Sequence, residues 1–193
     1  MKIYPTMIYY RKFYQFGIAP TMWNKIFRRE LVEQFLMTVP REIRHGEDGL
    51  MTYQAFLAGK SVYILNQSLY CYRTSVQSVS RSINLRRAEE NLILFRKYAD
   101  IAENETVCNL KEQIAYFAVY QTMQAVTADI TYYRAQHLKR MERRRLGTYY
   151  TQTILADKLI KEAFAKVKVK NVTGIKNKLF VLMVRMHLLT WWI

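Results

Sequence analysis

The chain has 193 residues, with 30 Lys and Arg against 15 Asp and Glu, a formal charge of +15. Half of it is apolar, which excludes a disordered chain, and six Gly and three Pro favour long helices over turn-rich sheet. The charge predicts attraction to phosphates, whether on a nucleotide, a nucleic acid or an anionic lipid surface, without choosing among them.

Residues 1–19 read as an aromatic amphipathic helix carrying Tyr9, Tyr10, Phe13, Tyr14 and Phe16 before Gly17. Arg11 and Lys12 interrupt the opening apolar run too early for a signal peptide. Pro20-Thr21 opens a second predicted helix, Met22 to Leu31, with Thr21 as its N-cap and Trp23, Ile26, Phe27 and Leu31 on one buried face. Asn24 and Lys25 stand at its start, where they face either solvent or a cleft.

After Pro40 comes Arg44-His45-Gly46-Glu47-Asp48-Gly49. Leu50, Tyr53, Gln54 and Leu57 follow at three- and four-residue intervals, and Gly59 stands where a helix needs its C′ residue. Glu47 and Asp48 thus fall in a first helical turn, where unpaired N–H groups and the helix dipole favour ionised carboxylates. Two functions fit them. They complement the helix end, or one of them serves as a general base.

Val62–Leu65 and Leu69–Tyr72 are rich in β-branched and aromatic residues around Asn66-Gln67-Ser68, and read as two short strands. A two-stranded ribbon is marginal by itself, so this reading calls for partner strands elsewhere. Arg73 to Ser82 reads as a polar, phosphate-compatible loop. From Leu85 onward the pattern is helical. Leu92, Leu94, Phe95 and Tyr98 form one stripe, and Ile114, Phe117, Ala118, Gln121 and Ala125 mark a helix over 110–136. A further helix covers about 151–166, and the basic run Arg140–Arg145 reads as a solvated face.

Residues 176–193 form an apolar tail between lysines and a terminal Trp-Trp pair. Arg185 and His187 make it a poor bilayer span. It suits a helix lying among lipid headgroups, or one docked on the protein or on a second copy. Cys71 and Cys108 have no partner at metal-ligand spacing, which points to a reducing, cytoplasmic setting with no disulfide framework.

Three segments line up in one order: Trp23-Asn24-Lys25-Ile26-Phe27-Arg28, then Gly46-Glu47-Asp48, then Tyr70-Cys71-Tyr72-Arg73 followed by Ser78, Ser80 and Ser82. Over roughly residues 15–85 the chain resembles the second, acceptor-side half of family 2 glycosyltransferases that build bacterial surface polysaccharides. The resemblance implies transfer of a sugar from a nucleotide-sugar to an acceptor hydroxyl with inversion, and Asp48 as the base. It assigns acceptor or donor contacts to Glu47, His45, Trp23, Asn24, Lys25, Arg73, Ser78 and Ser80. Arg73 and the serines would belong to a segment that closes over the diphosphate.

The nucleotide-binding half of that family, with its Asp-x-Asp pair, has no counterpart here, since the four aspartates are isolated. A divalent cation, Mn or Mg, is therefore expected for the intact enzyme and not for this chain alone. The expected fold is α+β and mostly helical: a small incomplete sheet of a GT-A-like domain over 1–84, a helical extension over 85–175 and an amphipathic helix over 176–193. Contact with the inner face of the cell membrane and homo-oligomers stay open. Nucleic acid is the less favoured partner, although a non-catalytic basic module for RNA or anionic membrane is the alternative to the enzyme.

Overall fold

The computed structural model describes residues 4–10, 15–71, 73, 84–105, 109–136 and 140–192. Long helices occupy its second half: α3 (Arg87–Asn104), α4 (Leu110–Ala135), α5 (Arg140–Tyr149), α6 (Lys158–Lys166), α7 (Ile175–Arg185) and the short α8 (Leu189–Trp192). Two helices precede them, α1 (Arg29–Leu36) and α2 (Glu47–Ala58). Among the described residues there is no strand.

Helix α4 is the axis of the packing. Its first three turns are buried on nearly every side, from Gln113 to Tyr120, because α3 and α6 cover it and the N-terminal segment crosses it. Phe117 is the centre of an aromatic cluster, with Phe95, Tyr98 and Phe16 rings at 6.0, 5.3 and 6.0 Å in edge-on contacts. One continuous core runs from Met7 and Ile8 through Leu50, Tyr53 and Leu94 to Phe164, Phe180 and Leu189.

Among the described residues the N-terminal segment holds no α-helix, and Phe13 and Tyr14 of the expected helix lie outside them. Only Tyr4–Thr6 make a 3-10 turn, and the chain then folds back on itself, with the Gly17 and Ile18 amides donating to Met7 O at 3.2 and 3.0 Å. Tertiary contacts override the helical spacing here. The buried Gln113 accepts from the Ile8 amide at 2.9 Å and donates to Tyr4 O at 2.9 Å, so α4 itself satisfies the extended backbone. Tyr9 stacks on Tyr116 with ring centroids 4.2 Å apart.

Three other expectations are corrected. The helix placed at 22–31 begins only at Arg29, and Trp23 and Ile26 lie 44% and 81% exposed instead of sharing a buried face. Residues 61–71 form no strands and are exposed throughout, since no sheet edge is there to take their backbone hydrogen bonds. Tyr72, the last residue of the expected second strand, lies outside the described residues.

The helix expected over 151–166 is two. Helix α5 ends in a π turn over Tyr150–Ile154, closed by the Leu155 amide on Tyr150 O at 2.8 Å, and α6 starts afresh with Asp157 capping the Leu159 amide.

Helix α5 also carries a close approach. A Cβ on Gly147 would stand 3.3 Å from the Thr190 Cα, so a side chain there would press α8 outward by a few tenths of an ångström. The tail is folded onto the protein, with Phe180, Val181, Val184 and Leu189 in the core.

Candidate active site

Helix α2 forms as its sequence predicts, over Glu47–Ala58, with Leu50, Tyr53 and Ala55 buried. Gly46 precedes it at φ 94°, and a Cβ there would come within 2.7 Å of Leu94 Cδ2. A side chain at this position would be strained by the backbone and crowded by α3 at once. Gly49 lets α2 settle against Tyr98 of α3 and against Pro20. The two glycines thus fix where Glu47 and Asp48 stand. At the far end Gly59 takes an extended backbone as the C-cap, one place before the expected C′ position.

Asp48 is half-buried in the first turn of α2, and its Oδ2 accepts from the Met22 amide at a long 3.5 Å. Thr52, one turn on, donates to Pro20 O at 2.9 Å, and Tyr53 donates to Ile18 O at 3.1 Å. The 18–25 loop is therefore laced along the side of α2. Lys25 shapes that loop. Its Nζ donates to Ala19 O, Thr21 O and Asn24 Oδ1, each at 2.7 Å, so the backbone wraps the ammonium where a helix had been expected. Thr21 turns its hydroxyl to Asn24 Oδ1 at 3.1 Å instead of capping a helix. Burial lowers the Lys25 pKa to about 8, and the nearby Asp48 carboxylate works against that fall.

Trp23 stands at the outer edge of the loop, stacked on Tyr70 with ring centroids 5.4 Å apart and planes 29° from parallel. The pair makes an aromatic shelf on the same loop that Asp48 and Lys25 hold.

Glu47 and His45 belong to a second group beside the first. Burial raises the Glu47 pKa, its own backbone amide and His45 oppose the rise, and Asp48 and Glu90 add to it. Glu47 Oε2 is buried without a hydrogen-bond partner. Glu90, on α3, accepts from the Arg44 amide at 3.2 Å and from Asn84 Nδ2 at 2.8 Å, and Asn84 lies 3.4 Å from His45 Nδ1.

The fold thus brings together Asp48, Glu47, His45, Asn24, Lys25 and Trp23. Arg73 is exposed, and among the described residues no hydrogen bond or ion pair ties it to this group. Ser78 and Ser80 lie outside the described residues. Tyr70, Asn84 and Glu90 are members that sequence reasoning missed. Glu90 carried one signal, an acid in the first turn of a predicted helix, which solvent-exposed acids share.

Among the described residues no three His, Cys, Asp or Glu side chains converge as a metal-binding set. The Glu47, Asp48 and His45 group therefore does not fit a divalent cation.

No family model matches the chain, and no solved structure matches it. The chain is similar to a protein of Bacillus subtilis (strain 168) named "Putative glycosyltransferase EpsH", 25% identical over 118 residues. The match covers 60% of this chain and 34% of that protein, so the chain spans about a third of its relative's length. The relationship is to a glycosyltransferase. Among the described residues no helix is long and apolar enough to cross a membrane.

Proposed function

We propose that this chain is the acceptor-side part of an inverting, family 2 type glycosyltransferase, acting on a nucleotide-sugar and a glycan hydroxyl. One observation carries the reading: a half-buried carboxylate, Asp48, sits at a helix N-terminus beside the Lys25 loop that bears the Trp23–Tyr70 shelf. The helix N-terminus and the Lys25 ammonium place positive charge beside this carboxylate. The named relative is consistent with the same chemistry.

In this reading the Asp48 carboxylate takes the proton of the acceptor hydroxyl as that oxygen bonds to the anomeric carbon. The bond from the anomeric carbon to the phosphate oxygen breaks on the opposite face, and the electron pair leaves with the nucleoside diphosphate. Trp23 offers a flat apolar surface to a sugar ring, and Asn24 and Glu47 orient it. Arg73, Ser78 and Ser80 belong to the segment that meets the departing phosphate. The donor, and any cation that steadies it, is held by a GT-A-like part outside this chain, whose sheet takes up the exposed segment 61–71.

Two measurements test this. In a polypeptide joining this chain to a donor-binding part, Asp48→Asn lowers sugar transfer by about a thousandfold or more at unchanged far-UV circular dichroism, since it removes the base. Turnover equal to the parent's removes Asp48 from the mechanism. Calorimetric titration of this chain alone with nucleoside diphosphate and manganese shows no micromolar binding. Such binding would move the donor site into this chain.

A further inference from the structure

Helix α7 buries Phe180, Val181 and Val184 against the bundle. Its opposite side carries Ile175, Leu179, Leu182 and Met186, at offsets of four, seven and eleven residues, which at 100° per residue fall within about 60° of one another. All four are exposed, from 37% at Leu182 to 78% at Ile175, and Leu188 continues them beyond the helix. This stripe is about 16 Å long at the ordinary helical rise. A folded protein gains nothing from a solvent-facing aliphatic row of that length unless something covers it.

Along the sequence, the charge on either side of the stripe is of one sign. Glu162 is the last acidic residue of the sequence, and after it come six Lys and Arg: Lys166, Lys168, Lys170, Lys176, Lys178 and Arg185. Glu162 itself faces Lys166 at 3.8 Å, and Asp157, the acid before it, is held by Arg96 at 2.9 Å. Lys176 and Lys178 flank the stripe on its two sides. Next to its C-terminal end, a recess of about 550 Å3 is lined by Lys161, Arg185 and His187 and by no carboxylate. His187 holds the left-handed position that ends α7, at φ 59°, a place that glycine occupies at lower cost.

These features select the occupant. A second copy would bring the same cations face to face across a two-fold interface. RNA would want exposed rings to stack on, and the stripe is aliphatic. An aliphatic row flanked by lysines matches a bilayer surface, where acyl chains take the row and phosphates take the cations. Among the described residues no helix can cross, so α7 would lie in the plane of the headgroups.

We propose that the α7 face docks this protein onto anionic phospholipid membrane, with Ile175, Leu179, Leu182 and Met186 inserted and the surrounding lysines on the headgroup phosphates. The assignment does not depend on glycosyl transfer, and either can fail alone.

The test is co-sedimentation of the full chain with phosphatidylcholine vesicles containing about a third phosphatidylglycerol, against phosphatidylcholine alone. The parent binds the anionic vesicles at least about tenfold more tightly, and loses that binding as salt is raised. The double variant Leu179→Asn, Leu182→Asn keeps the +15 charge, so bulk attraction survives while insertion does not. Its partitioning falls about tenfold or more. Parent-like binding by this variant, with native circular dichroism, overturns the proposal. So does a parent that stays in the supernatant with both vesicles, or one whose stripe proves to be covered by a second copy in a dimer that the variant dissociates.

Discussion

The α3–α8 bundle and the segment from Gln15 to Cys71 spend their apolar residues in opposite ways. In the bundle the large apolar side chains on α3 and α4 are buried or partly buried, and some polar side chains find internal partners. The Tyr150 hydroxyl donates to Asp129 at 2.8 Å, and Tyr149 donates to Glu89. In the other region the inner face of α2, Ile18 and Ile43 join the core and Phe16 and Val39 pack against it, while Tyr63 and Ile64 lie 88% and 86% exposed. The difference teaches where stability and function separate. The bundle is held by its own packing, whereas the loop region leaves aromatic and aliphatic groups uncovered, the groups that the proposed function assigns to a sugar or a partner sheet.

The sharpest way to break this contrast is a pair of truncations. Phe117→Ala removes the hub of the aromatic cluster and costs about 3–5 kcal/mol, while Tyr63→Ala stays within about 0.5 kcal/mol, both read by urea unfolding. Equal losses would mean that residue 63 is covered in solution.

Next in size is the joint between the regions. Gly46→Ala pays for both the left-handed backbone and the Leu94 contact, and should lose about 1–3 kcal/mol. A stability equal to the parent's would show that α2 is not pinned to α3 as described.

Alkaline pH separates the regions without mutation. In the bundle, burial raises the hydroxyl pKa of Tyr98 and Tyr150, with Tyr53 and Asp129 respectively adding to the rise. A raised folded value gives stability that is complete below the unfolded pKa of about 10 and is lost as pH climbs past it. Unfolding midpoints therefore fall above about pH 10, together with the ultraviolet signature of tyrosinate. Lys25 acts in the reverse sense at the site. Its folded value of about 8 lies below the ordinary 10.5, so its contribution grows as pH rises between those two values.

A smaller effect than that of Gly46→Ala is expected from Lys25→Met. Losing the hydrogen bonds to Ala19, Thr21 and Asn24 costs about 1 kcal/mol at neutral pH and frees the Trp23 loop. The rise in stability from pH 8 disappears in the variant. Heteronuclear NMR of the Trp23 indole reads the loop directly.

Much of the bundle was legible because its signal is local. Helix α4 over 110–135 and α3 with Leu94, Phe95 and Tyr98 show the 3.6-residue period that their burial requires. Helix α2 was equally plain, with glycines at both ends. The misread segments share one cause. Residues 4–10, 22–28 and 61–71 carry helix or strand patterns whose backbone needs are met, or left unmet, by groups distant in sequence. Gln113 captures the first, Lys25 reshapes the second, and the third lacks a sheet.

The candidate site divides along the same line. Glu47-Asp48 at a helix start is visible in six consecutive residues, because capping and dipole effects act within one turn. That Lys25 stands close enough to feel Asp48, that Tyr70 backs Trp23, and that Glu90 from α3 adds its charge to Glu47 were decided only by the chain's return on itself. The amino-acid order by itself determined a basic, helix-rich protein with paired acids at the start of α2. Tertiary structure alone decided which side chains surround those acids and which apolar face of α7 was left outside, because burial and electrostatic proximity depend on neighbours in space, and neither has a period in sequence.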